Sequence, residues 1–128
     1  MQREQLKENP FFLKEEQIDW VENTLHKMSL EEKLGQMICP GVQMIGKKQI
    51  EEFAVKRKLG AMMIRPMDQQ KATEAISALQ NASEVPMLIA ANLEWGGDGA
   101  VLQGTKFGMP MGCTATGDYE SGYRLGKI

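Results

Sequence analysis

The stretch V-P-M-L-I-A-A-N-L-E-W-G-G-D-G, Val85 to Gly99, decides how this chain is read. Met87 to Ala91 is a short apolar run bounded by Pro86 and Asn92, which predicts a strand buried on both faces. Asn92 and Glu94 follow where that strand ends, and then a cluster of glycines. In a parallel α/β sheet or barrel, the carboxyl end of a strand is where ligands bind. The stretch therefore predicts a fold class and the place of a site together.

Upstream of it, helices and strands alternate. Residues 15–28 predict a helix on the spacing of Ile18, Val21, Leu25 and Met28, with Trp20 beside them. Ser29-Leu30-Glu31-Glu32 is a capping box that opens a second helix running to about Gln36. Met37-Ile38-Cys39 reads as a first short strand, broken by Pro40-Gly41. A helix over Lys47–Lys58 turns Ile50, Phe53 and Ala54 inward and ends in the basic trio Lys56, Arg57 and Lys58, where the helix dipole favours cations. Gly60 suits a left-handed position after that helix. Ala61–Ile64 reads as a second buried strand ending at Arg65-Pro66. Asp68 caps a helix from Gln69 to Ala82, with Ala72, Ile76 and Leu79 inward and Lys71 and Glu74 outward. Short connections between these elements predict right-handed βαβ units on a parallel sheet.

Outside this core lie two less regular regions. Residues 1–14 form an N-terminal arm, polar and either frayed or peripheral over Met1–Asn9, with Phe11, Phe12 and Leu13 placed to dock it. Residues 15–128 form the domain. A long glycine-rich connection follows Asn92 to about Ala115, and long connections are usually functional. Thr116 or Asp118 then caps a last helix through Tyr119 and Tyr123 to Leu125, still running where the sequence stops at Ile128.

Composition narrows the function classes. A length of 128 residues allows one domain or a piece of one. A net charge of -2 argues against nucleic acid as a partner. No apolar run approaches the ~20 residues that span a bilayer, and the N-terminus lacks the apolar region of a secretory signal. Cys39 and Cys113 read as buried free thiols in a reducing, cytoplasmic setting. The ten methionines read as core filler, and His26 as solvated. Gly96-Gly97-Asp98-Gly99 lacks the spacing of a dinucleotide fingerprint, and neither a phosphate-binding loop nor a metal-ligand cluster occurs, so no cofactor or metal is expected.

Three strand ends would point polar groups to one rim: Cys39/Pro40, Arg65, and Asn92 with Glu94. Asn92 both donates and accepts, and Glu94 accepts only, which suits a polyhydroxyl ligand such as a sugar ring. Trp95 could stack on an apolar sugar face. The glycines would let backbone approach the ligand. The alternative is structural: Asn92 and Glu94 satisfy loop backbone groups, and Trp95 packs beneath the loop.

Four segments carry a resemblance. They are M-S-L-E-E-K-L-G-Q-M-I (28–38), L-G-A-M-M-I-R-P (59–66), I-S-A-L-Q-N-A-S-E-V-P-M-L-I-A-A-N-L-E-W-G-G (76–97) and G-T-K-F-G-M-P-M-G-C-T-A-T-G-D (104–118), the last leading into Y-R-L-G-K (123–127). In this order and spacing the chain resembles the N-terminal part of a glycoside hydrolase family 3 catalytic domain, over roughly residues 16–128. It is most similar to the branch whose third strand ends in D-x-E-G-G, typical of β-N-acetylhexosaminidases and some β-glucosidases. The resemblance implies a partial (β/α)8 barrel of about three βα units. It places Asn92 where the family's sugar-binding acid stands, and Trp95 where glycine is usual. It also implies that the nucleophilic Asp and the acid/base, which retaining glycosidases need as a flanking pair, lie later than this segment. None of Glu94, Asp98 and Asp118 is assigned a catalytic role. The expectation is a fragment of a retaining β-glycosidase acting on terminal β-linked glucose or N-acetylglucosamine. Arg65, Asn92, Glu94 and Trp95 would contribute to the sugar-binding rim, and the segment alone would be inactive. The rival is a non-catalytic module that oligomerises, or binds a partner, through open sheet edges. A flavodoxin-like domain fits less well, because its phosphate loop and its fourth and fifth strands are missing.

Overall fold

A computed structural model describes residues 3–42 and 46–127, which fall into two compact units, Met1–Leu34 and Gly35–Ile128. The first unit is helical. Of the two readings of the arm, fraying is overturned: Arg3–Lys7 forms a helix, α1, with Leu6 buried. The reason is charge placement on α2, Glu15–Lys27. Glu15, Asp19 and Glu22 recur at helical spacing, and the Arg3 guanidinium reaches Glu15 at 2.8 Å, Asp19 at 2.7 Å, and also Glu22. Lys7 adds Glu4 at 2.9 Å and Glu15 at 2.6 Å. Lys7 first and Arg3 second hold the Glu15 carboxyl below its ordinary range. Exposed pairs are individually weak, so the burial of Leu6 matters alongside them. Phe11 and Phe12 do not dock: they are 48% and 68% exposed. On α2 only Ile18 is fully covered; Val21 is half-buried, and Trp20, Leu25 and His26 are exposed. The capping box forms as expected, with the Ser29 amide donating to Glu32 Oε2 at 2.7 Å and the Glu32 amide to Ser29 Oγ at 3.2 Å. It opens α3, Leu30–Gln36.

The second unit holds a parallel sheet of three strands in the order β1-β2-β3: β1, Gly41–Val42; β2, Ala61–Ile64; β3, Leu88–Ala91. The first strand is not Met37-Ile38-Cys39. Those residues are exposed and follow α3 as a turn, with the Ile38 amide on the Gly35 carbonyl. Pairing starts instead at Pro40, whose carbonyl accepts from Met63 at 3.0 Å. Proline lacks a donor but keeps its acceptor, so it opens this strand rather than ending one.

The next helix, α4, Lys47–Ile50, widens into a π-helix over Glu51–Lys56. That wider turn brings fifth neighbours together: Glu52 pairs with Arg57 at 2.6 Å and Glu51 with Lys56 at 3.2 Å. Lys58 reaches Glu84 at 2.7 Å, so the whole basic trio is engaged with acids. The left-handed residue after this helix is Lys58 (φ 46°), not Gly60. Gly60 is needed for a close approach: a β-carbon there would lie 2.0 Å from the Gln36 carbonyl oxygen.

The core is Ala54, Leu59, Met62, Leu79 and Met87, with Ile50, Phe53, Ala82 and Ile89 packed around it. Leu79 comes from α5, Gln69–Ala82, whose buried stripe is Ala72, Ala75 and Leu79, with Ile76 half-buried. The Gln80 carboxamide pairs with both backbone groups of Met87, at 2.9 and 2.8 Å, and so seats the start of β3. Burial of β3 on both faces is not observed: Leu88 is 75% exposed and Ile89–Ala91 are half-buried. β3 is an edge strand, paired on one side only among the described residues. Met62 and Met87 act as core filler, whereas Met37, Met109 and Met111 are exposed. The cysteines also depart from expectation, Cys39 being exposed and Cys113 half-buried, both as free thiols.

The long connection after β3 is more ordered than its glycines imply. It contains a 3-10 turn, Gly97–Gly99, and ends in α6, Pro110–Ala115. Asp118 then opens α7, Tyr119–Lys127, accepting from the Glu120 amide at 3.0 Å and from the Ser121 hydroxyl at 2.8 Å. These bonds, Ser121 first, hold the Asp118 carboxyl below its ordinary range. Thr116 closes α6 instead of opening α7. The expected run of α7 through Ile128 reaches beyond the described residues. No described helix is long and apolar enough to cross a membrane.

Candidate functional site

The parallel register builds the site. Val42 pairs with Ile64, and Ile64 with Ala91, so the three strands end level. The residues that follow, Arg65 and Asn92, therefore leave adjacent strands side by side, at a strand spacing of ~4.8 Å. Cys39 and Pro40 drop out of the predicted rim, because they precede β1 and stand at the opposite end of the sheet. The residues just after β1 are outside the described set. Arg65 and Glu94 are exposed, and Asn92 and Trp95 are half-buried.

A closed loop after β3 carries Glu94 and Trp95. Trp95 holds its two limbs together: its carbonyl accepts from the Phe107 amide at 2.7 Å and the Gly108 amide at 3.1 Å. Gly96 bridges antiparallel to Lys106. Gly96 has φ 126°, a conformation open to glycine and strained for other residues. Gly99 lies against the Asn92 carbonyl, with 1.8 Å between that oxygen and an added β-carbon. The glycines thus let the loop pack on its own backbone. The expected approach of loop glycines to a ligand is replaced, at these positions, by self-closure.

The tip of the loop is tied to the end of β2 and the start of α5. Val101 bridges Met67, and the Leu102 amide donates to the Met67 carbonyl at 2.9 Å. Gln103 donates from Nε2 to Asp68 Oδ2 at 2.7 Å and accepts at Oε1 from the Gln69 amide at 2.9 Å. The other oxygen of Asp68 caps α5, accepting from the Gln70 and Lys71 amides. Gln103 first, then the Lys71 amide, holds the Asp68 carboxyl below its ordinary range. Sequence reasoning found the cap but not the clamp, since Asp68 and Gln103 are 35 positions apart.

Asp98 lies in the 3-10 turn Gly97–Gly99. Its Oδ1 is buried without a hydrogen-bond partner among the described residues, and such an atom calls for a donor such as an ordered water. Among the described residues, no group of three or more His, Cys, Asp or Glu is placed to hold a metal ion. The four candidate residues, Arg65, Asn92, Glu94 and Trp95, supply a cation, an amide, a carboxylate and an indole. Those are hydrogen-bonding and stacking groups suited to a neutral polar ligand with an apolar face.

No family model matches the chain. It is 35% identical over 119 residues, 93% of its length, to a β-N-acetylglucosaminidase/β-glucosidase of Cellulomonas fimi, of which it covers 21%. Among solved structures it is similar to the β-glucoside phosphorylase BglX bound to 2FGlc, at a TM-score of 0.81 and 38% identity, covering all of this chain and 23% of that one. A second structure of β-glucoside phosphorylase BglX gives 0.78 and 39%, with 22% of that chain covered. The chain thus spans between a fifth and a quarter of the length of these relatives. Likeness in sequence over nearly the whole chain, and in fold over all of it, bears out the resemblance to the N-terminal part of a glycoside hydrolase family 3 catalytic domain.

Proposed function

We propose that this chain is part of the donor-sugar site of a retaining enzyme that acts on terminal β-linked glucose or N-acetylglucosamine. On this reading residues 15–128 form the first three βα units of a partial (β/α)8 barrel, with residues 1–14 as an arm. The observation that carries it is the level ending of β2 and β3, which sets Arg65 beside Asn92 under the loop bearing Glu94 and Trp95. Asn92 and Arg65 hydrogen-bond sugar hydroxyls, Glu94 accepts from a further hydroxyl, and Trp95 stacks on the ring's apolar face. The relatives are named for glycosidase and for phosphorylase activity, which differ in whether water or phosphate receives the glycosyl group. One donor site serves either. The paired carboxylates that cleave the bond come from outside these 128 residues, in a cytoplasmic enzyme of carbohydrate metabolism.

Titration of glucose and of N-acetylglucosamine into the chain, followed by NMR at the Asn92 carboxamide and the Trp95 indole, tests this. Saturable shifts that vanish in Asn92→Ala are expected, with no turnover of aryl β-glycosides. Turnover that survives repurification and is lost in Glu94→Ala would overturn the division of labour.

A second reading has its own observation, the 75% exposure of Leu88 on an edge strand. Open edges pair with other chains, so the chain would act as a non-catalytic module that self-associates or takes a partner strand through β3.

A further inference from the structure

We propose that Gln103 is a positioning residue. Its carboxamide, clamped to Asp68 at the start of α5, fixes the loop that carries Glu94 and Trp95 over the strand ends. Its purpose rests on the sugar-site reading; its mechanism rests on the hydrogen bonds alone. Gln103 itself is exposed, so burial does not hold it. What holds it is a two-way match, Nε2–H to Asp68 Oδ2 at 2.7 Å and the Gln69 amide to Oε1 at 2.9 Å. One of these bonds ends on a carboxylate, which strengthens it relative to a neutral pair.

The clamp grips the tip, and the tip sets both limbs. Leu102 is bonded to Met67, Gly104 to Val101, and the returning limb delivers the Phe107 and Gly108 amides to the Trp95 carbonyl. Those amides are the described backbone donors to Trp95, so a tip that shifts moves the indole and the Glu94 beside it. Asp68 also fastens the tip to a fourteen-residue helix whose buried stripe reaches the core at Leu79. The loop thereby inherits the rigidity of α5 rather than that of its own glycines.

Amide hydrogen exchange in the intact chain tests this, with glucose titration on the same samples. Gln103→Ala is expected to speed exchange at Leu102, Gly104 and Phe107 by about tenfold or more, while Met63 and Leu88 in the sheet stay within about twofold. Gln103→Glu supplies a readout that lost packing would not move. Near neutral pH it sets one carboxylate against another and opens the loop. At about pH 4 one carboxyl of the pair holds a proton and donates to the other, and protection returns. Unchanged loop amides in Gln103→Ala, a Gln103→Glu loop that stays closed near neutral pH, or sheet amides that open together with the loop would each overturn the proposal. Glucose separates it from the reading it rests on. If the unsubstituted chain binds glucose and Gln103→Ala binds it about tenfold more weakly, both stand. If the loop opens as expected but the unsubstituted chain ignores glucose, the sugar reading falls and the clamp stands. If glucose binds equally to both despite an open loop, the positioning role is refuted.

Discussion

Gly99 has no room for a β-carbon, and Gly122 has nothing but room. An added methyl at Gly99 would lie 1.8 Å from the Asn92 carbonyl oxygen, which is backbone and cannot swing away. Gly99→Ala is therefore expected to destabilise the unit by about 2 kcal/mol or more, by the overpacking it forces. A lower urea midpoint and a weaker near-ultraviolet signal from Trp95 would register it. Gly122 lies on α7, and among the described residues nothing beyond its chain neighbours and its own helix backbone comes within 4 Å of an added β-carbon. Gly122→Ala is expected to stabilise by roughly 0.5–1 kcal/mol, through helix propensity, in the same urea titration. Asn92 is the third informative residue, since it stands where the resemblance implies an acid. Asn92→Asp is expected to tighten glucose binding by about tenfold, because bonds to a charged acceptor are stronger; equal dissociation constants for the two would remove Asn92 from the site.

At the scale of elements, carboxylates organise the helix ends and their pairing. Glu15 is held low by Lys7 and Arg3, Glu52 by Arg57, Asp68 by Gln103 and Asp118 by Ser121. Each is thus lower in the folded chain than in the unfolded one. A depressed carboxyl contributes stability above its unfolded value, near pH ~4, and loses that contribution as the pH falls through the folded value. Stability from urea titration is therefore expected to be flat between about pH 7 and 5 and to decline below about pH 4. A decline that began near neutrality would refute the assignment to these four carboxylates. Arg3 and Lys7 are raised, so what they contribute persists through this whole range and is lost only in strong alkali. Asp68 belongs to two elements at once. Asp68→Asn keeps an acceptor for the cap but sets its Nδ2–H against the Gln103 Nε2–H and removes that bond, so it is expected to loosen the loop more than the helix, read by amide exchange at Leu102 against Ala75.

At the scale of the whole molecule, the sheet of the second unit has an order and an open side. β2 lies in the middle with Met62 fully buried; β3 lies at the edge with Leu88 three-quarters exposed. An exposed apolar edge strand templates further pairing unless charge or a neighbour blocks it. Sedimentation of the chain is expected to report concentration-dependent self-association, reduced in Leu88→Lys. A monomer at every concentration would set aside the edge-pairing module.

The sequence by itself determined the elements whose causes are local. The alternation of apolar runs, the Ser29–Glu32 capping box, the Asp68 cap and the strand at Ala61–Ile64 were legible because each depends on neighbours within a turn or two. It also located Arg65 and Asn92 at strand ends, from where their apolar runs stop. Only the tertiary structure decided what depends on distant partners. β1 was displaced to Gly41–Val42 because Met63 bonds Pro40, and α1 forms where Arg3 meets acids twelve to nineteen positions on. The Gln103 clamp and the glycine-backed closure of the loop are likewise contacts across long separations. A strand's period fixes which residues alternate. Whether both its faces are covered depends on what packs beside it, and for β3 the sequence held no record of that.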